Sequence, residues 1–476
     1  MKDFGDGVKE QGVFRHGWVS ERLERAIKAI ATDVDGAEAL FRGDEAQHLR
    51  LGDARITEAS SVEEGKVTVR AVVNGSAART TTSDLSDAGL DRCARQARDR
   101  ARQTPLRAGQ TPVVLPRPRP LMAAPDWSRD EGTATLGAET KRTWLSEGLR
   151  AHRADDFSLA GCFHTGRMTV AVQSTEGINA FHAGSYCDLS LSALEYPAGH
   201  RASAYRGLMT ASVGQDVVDK MQREVREECH RAHDPRELSV GAWDVVLAPA
   251  AVADLLQWLS LIAFGSRAAE DGLSFVTSRR DEQVMNSAVS IMDAASMPSG
   301  IGVPMPFDIE GLPKEEVPLV DAGIARRTVY DSVSAGVAGC HSTGHAVLDD
   351  LGGAAGGMAM HVHMAGGEAT VDDLIGQVDR GIFITRFHYV NGMIEPRRAV
   401  MTGLLRDGAF LIEKGRLGRA VRSFRFTDSI LEAFSRIPGS TGISREQQAH
   451  SAWFGLYTCM VAPYVLVPGL KFTSGR

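Results

Sequence analysis

Residues 245–265 read VVLAPAAVADLLQWLSLIAFG, a short apolar strand signal followed by a proline and a strongly apolar helix signal. On a period of 3.6 residues, Val252, Leu256 and Leu259 share one face of this helix, and Trp258 points away from it. A helix that is apolar on opposite faces is usually covered by protein on both. The stretch therefore predicts a strand that leads into a buried helix. It raises the question of whether that helix only fills a core.

The composition is that of a folded protein with more than one domain. The chain has 476 residues, of which 43% are hydrophobic and 24% are charged, and its formal net charge is -7. This length exceeds what one ordinary hydrophobic core supports. The acidic balance disfavours nucleic acid as a partner, because proteins that bind nucleic acids usually carry a basic face.

Cysteine usage and hydropathy favour a cytoplasmic protein. The six cysteines lie far apart and form no CxxC pair, so the sequence has neither a disulfide framework nor zinc-finger spacing. No apolar run approaches the ~18 residues of a membrane span, and the first residues lack the apolar core of a signal peptide. We therefore expect a reducing compartment and no membrane partner.

Turn and periodicity signals predict an α+β protein with two domains. We expect a smaller N-terminal α/β domain over residues 1–235 and a largely antiparallel β domain over residues 236–476. In the first, Asn74-Gly75 is typical of a hairpin turn. In the second, Asp-Gly and Lys-Gly turns separate strand signals, and a short helix is expected between Thr370 as its cap and Gly381 as its end.

Two close histidine pairs invite a search for a metal site. His341 and His345 are four residues apart, but the intervening Ser-Thr-Gly is a poor helix former and no Glu takes the general-base position of an HExxH motif. His361 and His363 would share one face of a strand, yet two imidazoles fall short of the three protein ligands of a catalytic zinc site. Cys459 lies among apolar neighbours, as buried inert cysteines do. We therefore predict no metal in this chain.

Two carboxylates in the segment PFDIEG, residues 306–311, are candidates for acid–base chemistry. On a strand, Asp308 and Glu310 would face the same way and could share a proton or orient a peptide amide. In a loop, they could instead accept hydrogen bonds from backbone N–H groups. The spacing leaves both interpretations open.

The second half of the chain resembles the TldD/PmbA family. The segments that carry the resemblance are residues 302–336, the STGHA at 342–346, and residues 385–431. The family pattern has an Asp-x-Glu-Gly element, a Ser-Thr-Gly element and a strand series ending in Ile-Glu-x-Gly. These elements correspond here to Asp308–Gly311, Ser342–Gly344 and Ile412–Gly415. A weaker match in the N-terminal half extends the resemblance over most of the chain.

The resemblance implies a peptidase built from two kinds of subunit. One kind is similar to a zinc metallopeptidase, with HExxxH directly after a VVLxP strand and a late cysteine as third ligand. The other kind lacks that motif, and the two form a heterodimer around a shared cleft in which small peptides are matured by proteolysis.

Residues 245–265 make this chain resemble the second, PmbA-like or TldE-type, branch. If VVLAP at 245–249 is the strand before the zinc helix, Gln257 and Trp258 stand where the His-Glu pair would be, and Ile262 takes the place of the second histidine. None of the three ligates zinc or activates a metal-bound water. The resemblance thus implies no catalytic residue and no zinc in this chain, with zinc in a TldD-like partner.

Nine side chains in the resembling segments are candidates for lining the substrate cleft. They are Asp308, Glu310, His341, Thr343, His345, Arg386, His388, Tyr389 and Asn391. Strict alternation along TRFHYVN would put Arg386, His388 and Val390 on one face and Thr385, Phe387, Tyr389 and Asn391 on the other.

Two further functions stay open. Asp308, Glu310, His341, His345 and His388 could make the chain an independent hydrolase that cuts an amide bond in a small natural product or a modified peptide. The chain could instead be a binding module for a regulatory protein. A homodimer is an alternative to the heterodimer, because symmetric dimers are the commonest assembly.

Overall fold

The computed structural model describes residues 12–106, 109–155, 157–195, 202–295, 301–348, 356–452 and 455–475. The strands within these ranges are β1 Gly36–Gly52, β2 Arg55–Val73, β3 Ser76–Thr82, β4 Phe157–Ser174, β5 Asn179–Glu195, β6 Ser203–Thr210, β7 Gly241–Leu247, β8 Ile291–Asp293, β9 Val317–Asp321, β10 Ile324–Ala325, β11 Ala346–Val347, β12 Gly356–Gly357, β13 His361–Met364, β14 Arg380–Glu395, β15 Val400–Glu413, β16 Arg416–Ala420, β17 Phe424–Ser429, β18 Ile443–Ala452 and β19 Gly455–Gly475. The α-helices are α1 His16–Lys28, α2 Asp87–Gln103, α3 Glu131–Ala134, α4 Ala138–Ala154, α5 Gln215–Arg231, α6 Pro249–Leu259, α7 Ser266–Glu270, α8 Phe275–Ser278, α9 Ser332–Ala338, α10 Val371–Gly376 and α11 Ile430–Ser435.

The N-terminal half is one antiparallel sheet with helices on one face. Its strand order is β3-β2-β1-β4-β5-β6. The predicted hairpin joins β2 to β3, and Asn74 and Gly75 have φ of 51° and 75°, as a two-residue turn with both central residues at positive φ requires. Apolar stripes of α1 and α2 cover one end of the sheet, and those of α4 and α5 cover the other.

The opposite face of this sheet packs on the C-terminal half. Met168 and Val172 of β4 share a core with Met305 and Phe307 and with Cys459 of β19. Burying side chains of this size stabilises the fold by about 1.5–3 kcal/mol each. A continuous core therefore crosses residue 235, and the division of the chain at that residue stays a prediction.

The C-terminal half is a larger, mostly antiparallel sheet whose central strands close into a ring. The pairs β7–β14, β14–β15, β15–β17, β17–β19 and β19–β7 complete the circuit. Phe472 of β19 pairs with Gly241 on one side and with Phe426 on the other. The predicted α+β class, with an antiparallel second half, is confirmed.

The stretch 245–265 contains the end of β7 and the whole of α6, and α6 packs against the ring of strands. Nine of its 11 residues are buried, which confirms the prediction of a helix covered on both sides. The α-helical period ends at Leu259, because residues 260–264 form a π-helical turn. Among the described residues, no helix is both long and apolar enough to cross a membrane.

The short helix after Thr370 begins as predicted and ends earlier than predicted. Thr370 and Asp373 form a reciprocal capping box at its start. The helix stops at Gly376, and Gly381 lies inside β14. A Cβ at Gly381 would come within 2.4 Å of the Asp244 carbonyl oxygen. Gly381 therefore permits the close approach of β7 and does not end the helix.

Candidate functional site: two cavities and the open edge of a strand

Asp308 organises a loop. Its Oδ1 accepts hydrogen bonds from the backbone N–H groups of Glu310 at 2.9 Å and Leu312 at 3.1 Å. Its Oδ2 accepts one from Ala346 at 2.8 Å, which ties the loop to β11. Of the two interpretations of this carboxylate, the structure shows the one in which it caps backbone N–H groups.

Glu310 joins the two halves of the molecule. Its fully buried carboxylate lies 2.7 Å from Nη1 of Arg70 on β2. It also accepts hydrogen bonds from the backbone N–H of Ser332 at 3.0 Å and from the Ser332 hydroxyl at 2.7 Å. Burial raises the pKa of the adjoining Glu38 carboxyl to about 7. The side chain of Glu310 is thus occupied by internal partners.

His341 and His345 lie in different environments and not on a helix. His341 is exposed, and its Nε2 is 3.3 Å from a Glu315 carboxylate oxygen. His345 is buried, with Nε2 3.0 Å from Asp293 Oδ1 and Nδ1 2.8 Å from the carbonyl oxygen of Thr343. The Thr343 hydroxyl accepts a hydrogen bond from the backbone N–H of Tyr330 at 2.8 Å. His345 and Thr343 therefore belong to the interior scaffold.

Asp293 and His345 are part of a buried polar network that borders an apolar cavity. Lys314 Nζ lies 2.9 Å from Asp293 Oδ1 and 2.6 Å from His361 Nδ1. Although burial raises the pKa of Asp293, Lys314 and His345 beside it hold that pKa far below its usual range. Asp308, Lys314, His345 and His361 line a cavity of about 70 Å³ whose other walls are mainly methionines and aliphatic side chains.

The prediction of strict alternation along β14 is wrong after His388. Phe387 and Val390 are both buried in the core, whereas Tyr389 is 77% exposed with a φ of 51°. The pairing with β15 shifts register between His388 and Asn391. This bulge adds a residue to one strand and turns the following side chains over, so Val390 faces the core and Asn391 faces solvent.

A second, polar cavity lies beside α6, and of the nine candidates only Arg386 borders it. It measures about 80 Å³, and its lining residues include Tyr205, Asp254, Gln257, Arg386, Phe387, His450 and Ser451. Arg386 Nε lies 2.8 Å from Asp407 Oδ2. The Arg386 guanidinium also stacks 3.8 Å from the ring centroid of Tyr205, so β14 and the N-terminal sheet meet here.

Asp254 and His450 are two side chains of this cavity that sequence reasoning missed, as it missed Tyr205 and Ser451. Asp254 Oδ2 accepts a hydrogen bond from the backbone N–H of Phe387 at 3.2 Å, and burial raises the pKa of its carboxyl to about 7. Burial lowers the pKa of His450 to about 4, so its ring is neutral. Asp254 is the single charged residue in the stretch from 245 to 265, a signal that could have identified it. His450 had no comparable signal.

One edge of β14 lacks a strand partner among the described residues. β7 pairs with β14 only over Gly381–Ile384. Beyond that point the Ile384 carbonyl accepts a hydrogen bond from the backbone N–H of Ala248 at 2.9 Å. The Asp254 carboxylate accepts one from the backbone N–H of Phe387. The strand then continues to Glu395, with Met393 and Ile394 each 53% exposed.

Comparison with known families identifies the chain. A model described as the PmbA/TldA metallopeptidase C-terminal domain matches residues 240–474, and a model of the PmbA/TldA metallopeptidase domain 1 matches residues 37–101. The chain belongs to the PmbA/TldA metallopeptidase family. This membership confirms the resemblance found in residues 302–336 and 385–431.

Sequence relatives of this PmbA/TldA chain are distant, and its fold relatives cover nearly all of it. A Metalloprotease TldD homolog of Haemophilus influenzae is 25% identical over 164 residues, which are 34% of this chain and 33% of that protein. One from Buchnera aphidicola subsp. Acyrthosiphon pisum is 24% identical over 166 residues, 35% of this chain and 34% of that protein. The chain thus matches about a third of these curated relatives. The crystal structure of TldE from Thermococcus kodakarensis superposes with a TM-score of 0.83 at 17% identity, covering 96% of this chain and 100% of that one, which shows a common fold.

The described part of this PmbA/TldA chain offers few groups for a metal. No three His, Cys, Asp or Glu residues within it are arranged to hold a metal ion. His361 and His363 point to separate partners, Lys314 and Gln447. Cys459 is buried, and burial raises the pKa of its thiol to about 12.

Proposed function

We propose that this chain is the PmbA-like, TldE-type subunit of a heterodimeric metallopeptidase that matures peptides. In this account a TldD-like partner supplies zinc, and this chain supplies part of the substrate cleft. The observation that carries the proposal is the chemistry at the end of α6. Gln257, Trp258 and Ile262 stand where the family resemblance puts HExxxH, and they are 4%, 9% and 1% exposed. An amide, an indole and an alkyl group are not the His and carboxylate ligands of catalytic zinc sites.

Packing around these residues supports the same proposal. A Cβ at Gly392 would lie 3.0 Å from Cε3 of Trp258 and 3.3 Å from Cδ1 of Ile262. Trp258 and Ile262 thus fill the space between α6 and β14, and the π-helical turn begins directly after Leu259. Helix α6 and the turn that follows it therefore serve as packing elements against β14.

The cleft function rests on the open edge of β14. Strand addition gives affinity through backbone hydrogen bonds, which peptides of any sequence can make, and specificity comes from pockets for alternate side chains. That mode suits a protein that accepts peptides of varied sequence. The polar cavity lined by Asp254 and Arg386 adjoins the start of this edge, so backbone pairing and charge recognition are available side by side.

We further propose a cytoplasmic location. All six cysteines are free thiols, and four of them are buried. A reducing compartment keeps such thiols unpaired. A role in natural product biosynthesis is one setting in which a peptide-maturing pair would act.

An independent amide hydrolase is the second candidate function. The observation that favours it is the environment of Asp254. Burial raises the pKa of its carboxyl to about 7, and this carboxyl lines the same cavity as the neutral His450. A carboxylate with a pKa near the working pH suits general-base catalysis. Asp308, Glu310 and His345 weaken this candidate, since their side chains are occupied by internal partners.

A mixing experiment separates the two functions. The chain is purified alone, stripped of metal with a chelator, and assayed on a set of short peptides before and after addition of a TldD-like protein from the same genome. The proposal expects cleavage only from the mixture and its loss when the mixture is chelated. Cleavage by the lone, metal-stripped chain would favour the independent hydrolase, and Asp254→Asn should then abolish it.

A further inference from the structure

We propose that the polar cavity beside α6 binds the primary ammonium group of a peptide, whose chain then runs along the open edge of β14. This inference deepens the proposed function and rests on it, because it names the end of the substrate that the cleft holds. The acceptors are the carboxylate of Asp254 and the imidazole of His450.

Asp254 is a buried carboxylate without a cation of its own. Among the described residues, no Lys, Arg or His forms an ion pair with it. Arg386 lines the same cavity, but its Nε lies 2.8 Å from Asp407. A carboxylate taken out of water without a partner is costly. A ligand that brings a positive charge would remove that cost, whereas an anionic ligand would add to it.

A second carboxylate increases the negative charge around the cavity. Asp188 of β5 lies close enough to act on the phenol of Tyr205, as Asp254 does. The Asp188 carboxylate accepts a hydrogen bond from Ser451 at 3.3 Å, and it has no ion pair among the described residues. The charged side chains that line the cavity are Asp254 and Arg386. Asp407 pairs with Arg386 at 2.8 Å and with Arg406 at 3.5 Å. Asp254 and the adjacent Asp188 therefore have no ion pair among the described residues, which favours a cationic ligand.

His450 supplies the second acceptor. It is 8% exposed, lines the same cavity, and its buried Nε2 has no hydrogen-bond partner. Buried polar atoms are almost always paired in native proteins. A neutral ring can present Nε2 as an acceptor, so a ligand N–H would satisfy it.

The combination of acceptors fits an ammonium group. An ammonium carries three N–H donors, enough for the carboxylate of Asp254 and Nε2 of His450 with one left over. A cavity of about 80 Å³ is large enough for this group and a few further atoms. In the described residues no third His, Cys, Asp or Glu completes a metal site here.

The position of Asp254 gives the bound peptide a direction. Its Oδ2 holds the backbone N–H of Phe387 at 3.2 Å, and beyond this residue the edge of β14 has no described strand partner. A peptide anchored at Asp254 would continue along residues 388–395. The exposed Tyr389, Met393 and Ile394 would contact its side chains.

The test measures peptide binding to the full, lone chain by isothermal titration calorimetry. Two hexapeptides share one Lys-free sequence, the first with a free amino terminus and the second N-acetylated. A third hexapeptide is N-acetylated and differs from the second only by Lys at position 1. The proteins are the wild type, Asp254→Asn, and Glu139→Gln as the control for loss of one exposed negative charge. Asn at 254 keeps an oxygen for the N–H of Phe387, and a thermal melt checks that each variant folds.

Acetylation is expected to weaken binding to the wild type about 10-fold or more, since it removes one partner of a buried charged pair. Asp254→Asn is expected to lower affinity for the free-amine peptide to the level of the acetylated one and to leave the acetylated peptide unchanged. Glu139→Gln should behave as the wild type. Recovery of affinity with the Lys-containing acetylated peptide would show that the site also takes a side-chain ammonium, and absence of recovery would restrict it to the amino terminus.

Equal affinity of the wild type for free and acetylated peptides would overturn the inference. So would an Asp254→Asn protein that binds the free-amine peptide as tightly as the wild type, or a lone chain that binds none of the three. These outcomes leave the peptidase assay with the partner untouched. Failure of the inference is thereby distinguishable from failure of the proposed function.

Discussion

The guanidinium of Arg70 lies 2.7 Å from the carboxylate of Glu310, and both side chains are 4% exposed or less where the two halves of the chain meet. Removing one partner of such a buried pair leaves an uncompensated charge. We expect Arg70→Met to lower the free energy of unfolding by about 3–5 kcal/mol, measured by chemical denaturation. Lys28→Met, which breaks the exposed pair with Glu24, should cost only about 0.5 kcal/mol or less.

The same pair gives the Glu310 of the family element a structural role. Glu310→Gln should therefore lower stability and peptidase activity of the reconstituted pair together. A Glu310→Gln protein with unchanged unfolding but no activity would contradict this role and return Glu310 to the list of reactive groups.

The two histidines of CHSTGH give a matched comparison. His341 is exposed and only 3.3 Å from Glu315, so His341→Ala should change stability by about 0.5 kcal/mol or less. His345 is buried against Asp293 at 3.0 Å, so His345→Ala should cost about 2–4 kcal/mol. Thermal or chemical unfolding of both variants measures the difference. Equal effects on stability, or loss of activity with His341→Ala alone, would contradict the placement of these side chains.

Asp254 should make stability depend on pH. Burial raises its pKa to about 7 in the folded chain, from about 3.9 in an unfolded one. A group with a raised folded pKa contributes stability below its unfolded pKa, and that contribution is lost as pH rises through the folded value. Asp254→Asn should therefore raise the free energy of unfolding relative to the wild type by up to about 4 kcal/mol at pH 8, and the gain should fall towards zero below pH 4.

The titratable neighbours of Asp254 change their charge in the folded chain mainly outside the range from pH 5 to pH 8. Burial raises the pKa of Tyr205 to about 12 and lowers the pKa of His450 to about 4. Burial raises the pKa of Glu38 to about 7 as well, so the quantity to compare is the difference between variant and wild type, in which Glu38 cancels. A difference that does not change between pH 5 and pH 8 would show that Asp254 titrates normally.

Sequence patterns identified the elements whose burial follows a simple period. The apolar run after Pro249 gave α6, and Asn74-Gly75 gave the β2–β3 hairpin, because local chemistry alone fixes such elements. The prediction that Gly381 ends a helix was wrong because the role of this glycine depends on Asp244, a residue of another strand. The bulge at Tyr389 is set by pairing with β15, and no local signal marks it.

The site was less predictable than the fold. Asp308, Glu310 and His345 are family-element residues with internal partners, and their residue types alone did not separate scaffold from cleft. The polar cavity combines Tyr205, Asp254 and His450, which come from distant parts of the chain. Only the lone charge of Asp254 in an apolar helix carried a signal in the sequence.

Thiol labelling tests whether Cys459 can act as a ligand or nucleophile. Burial raises the pKa of the Cys459 thiol to about 12, and the thiolate is the reactive form. In the folded protein, iodoacetamide should modify the exposed Cys340 and leave Cys459 unmodified until the chain is denatured, as read by peptide mass spectrometry. Cys459→Ala should leave activity of the reconstituted pair within about 2-fold of the wild type, apart from any packing loss. Rapid labelling of Cys459 in the native state would refute its assignment as an inert core residue.

In the proposed function, the zinc chemistry lies in a partner chain. The most direct measurement is to purify the tagged protein from its native host and determine the mass and zinc content of the complex that elutes. We expect a second chain of similar size, with about one zinc per pair. A lone chain or a homodimer that carries zinc would contradict the proposal, in which Gln257, Trp258 and Ile262 stand in the positions of the zinc motif.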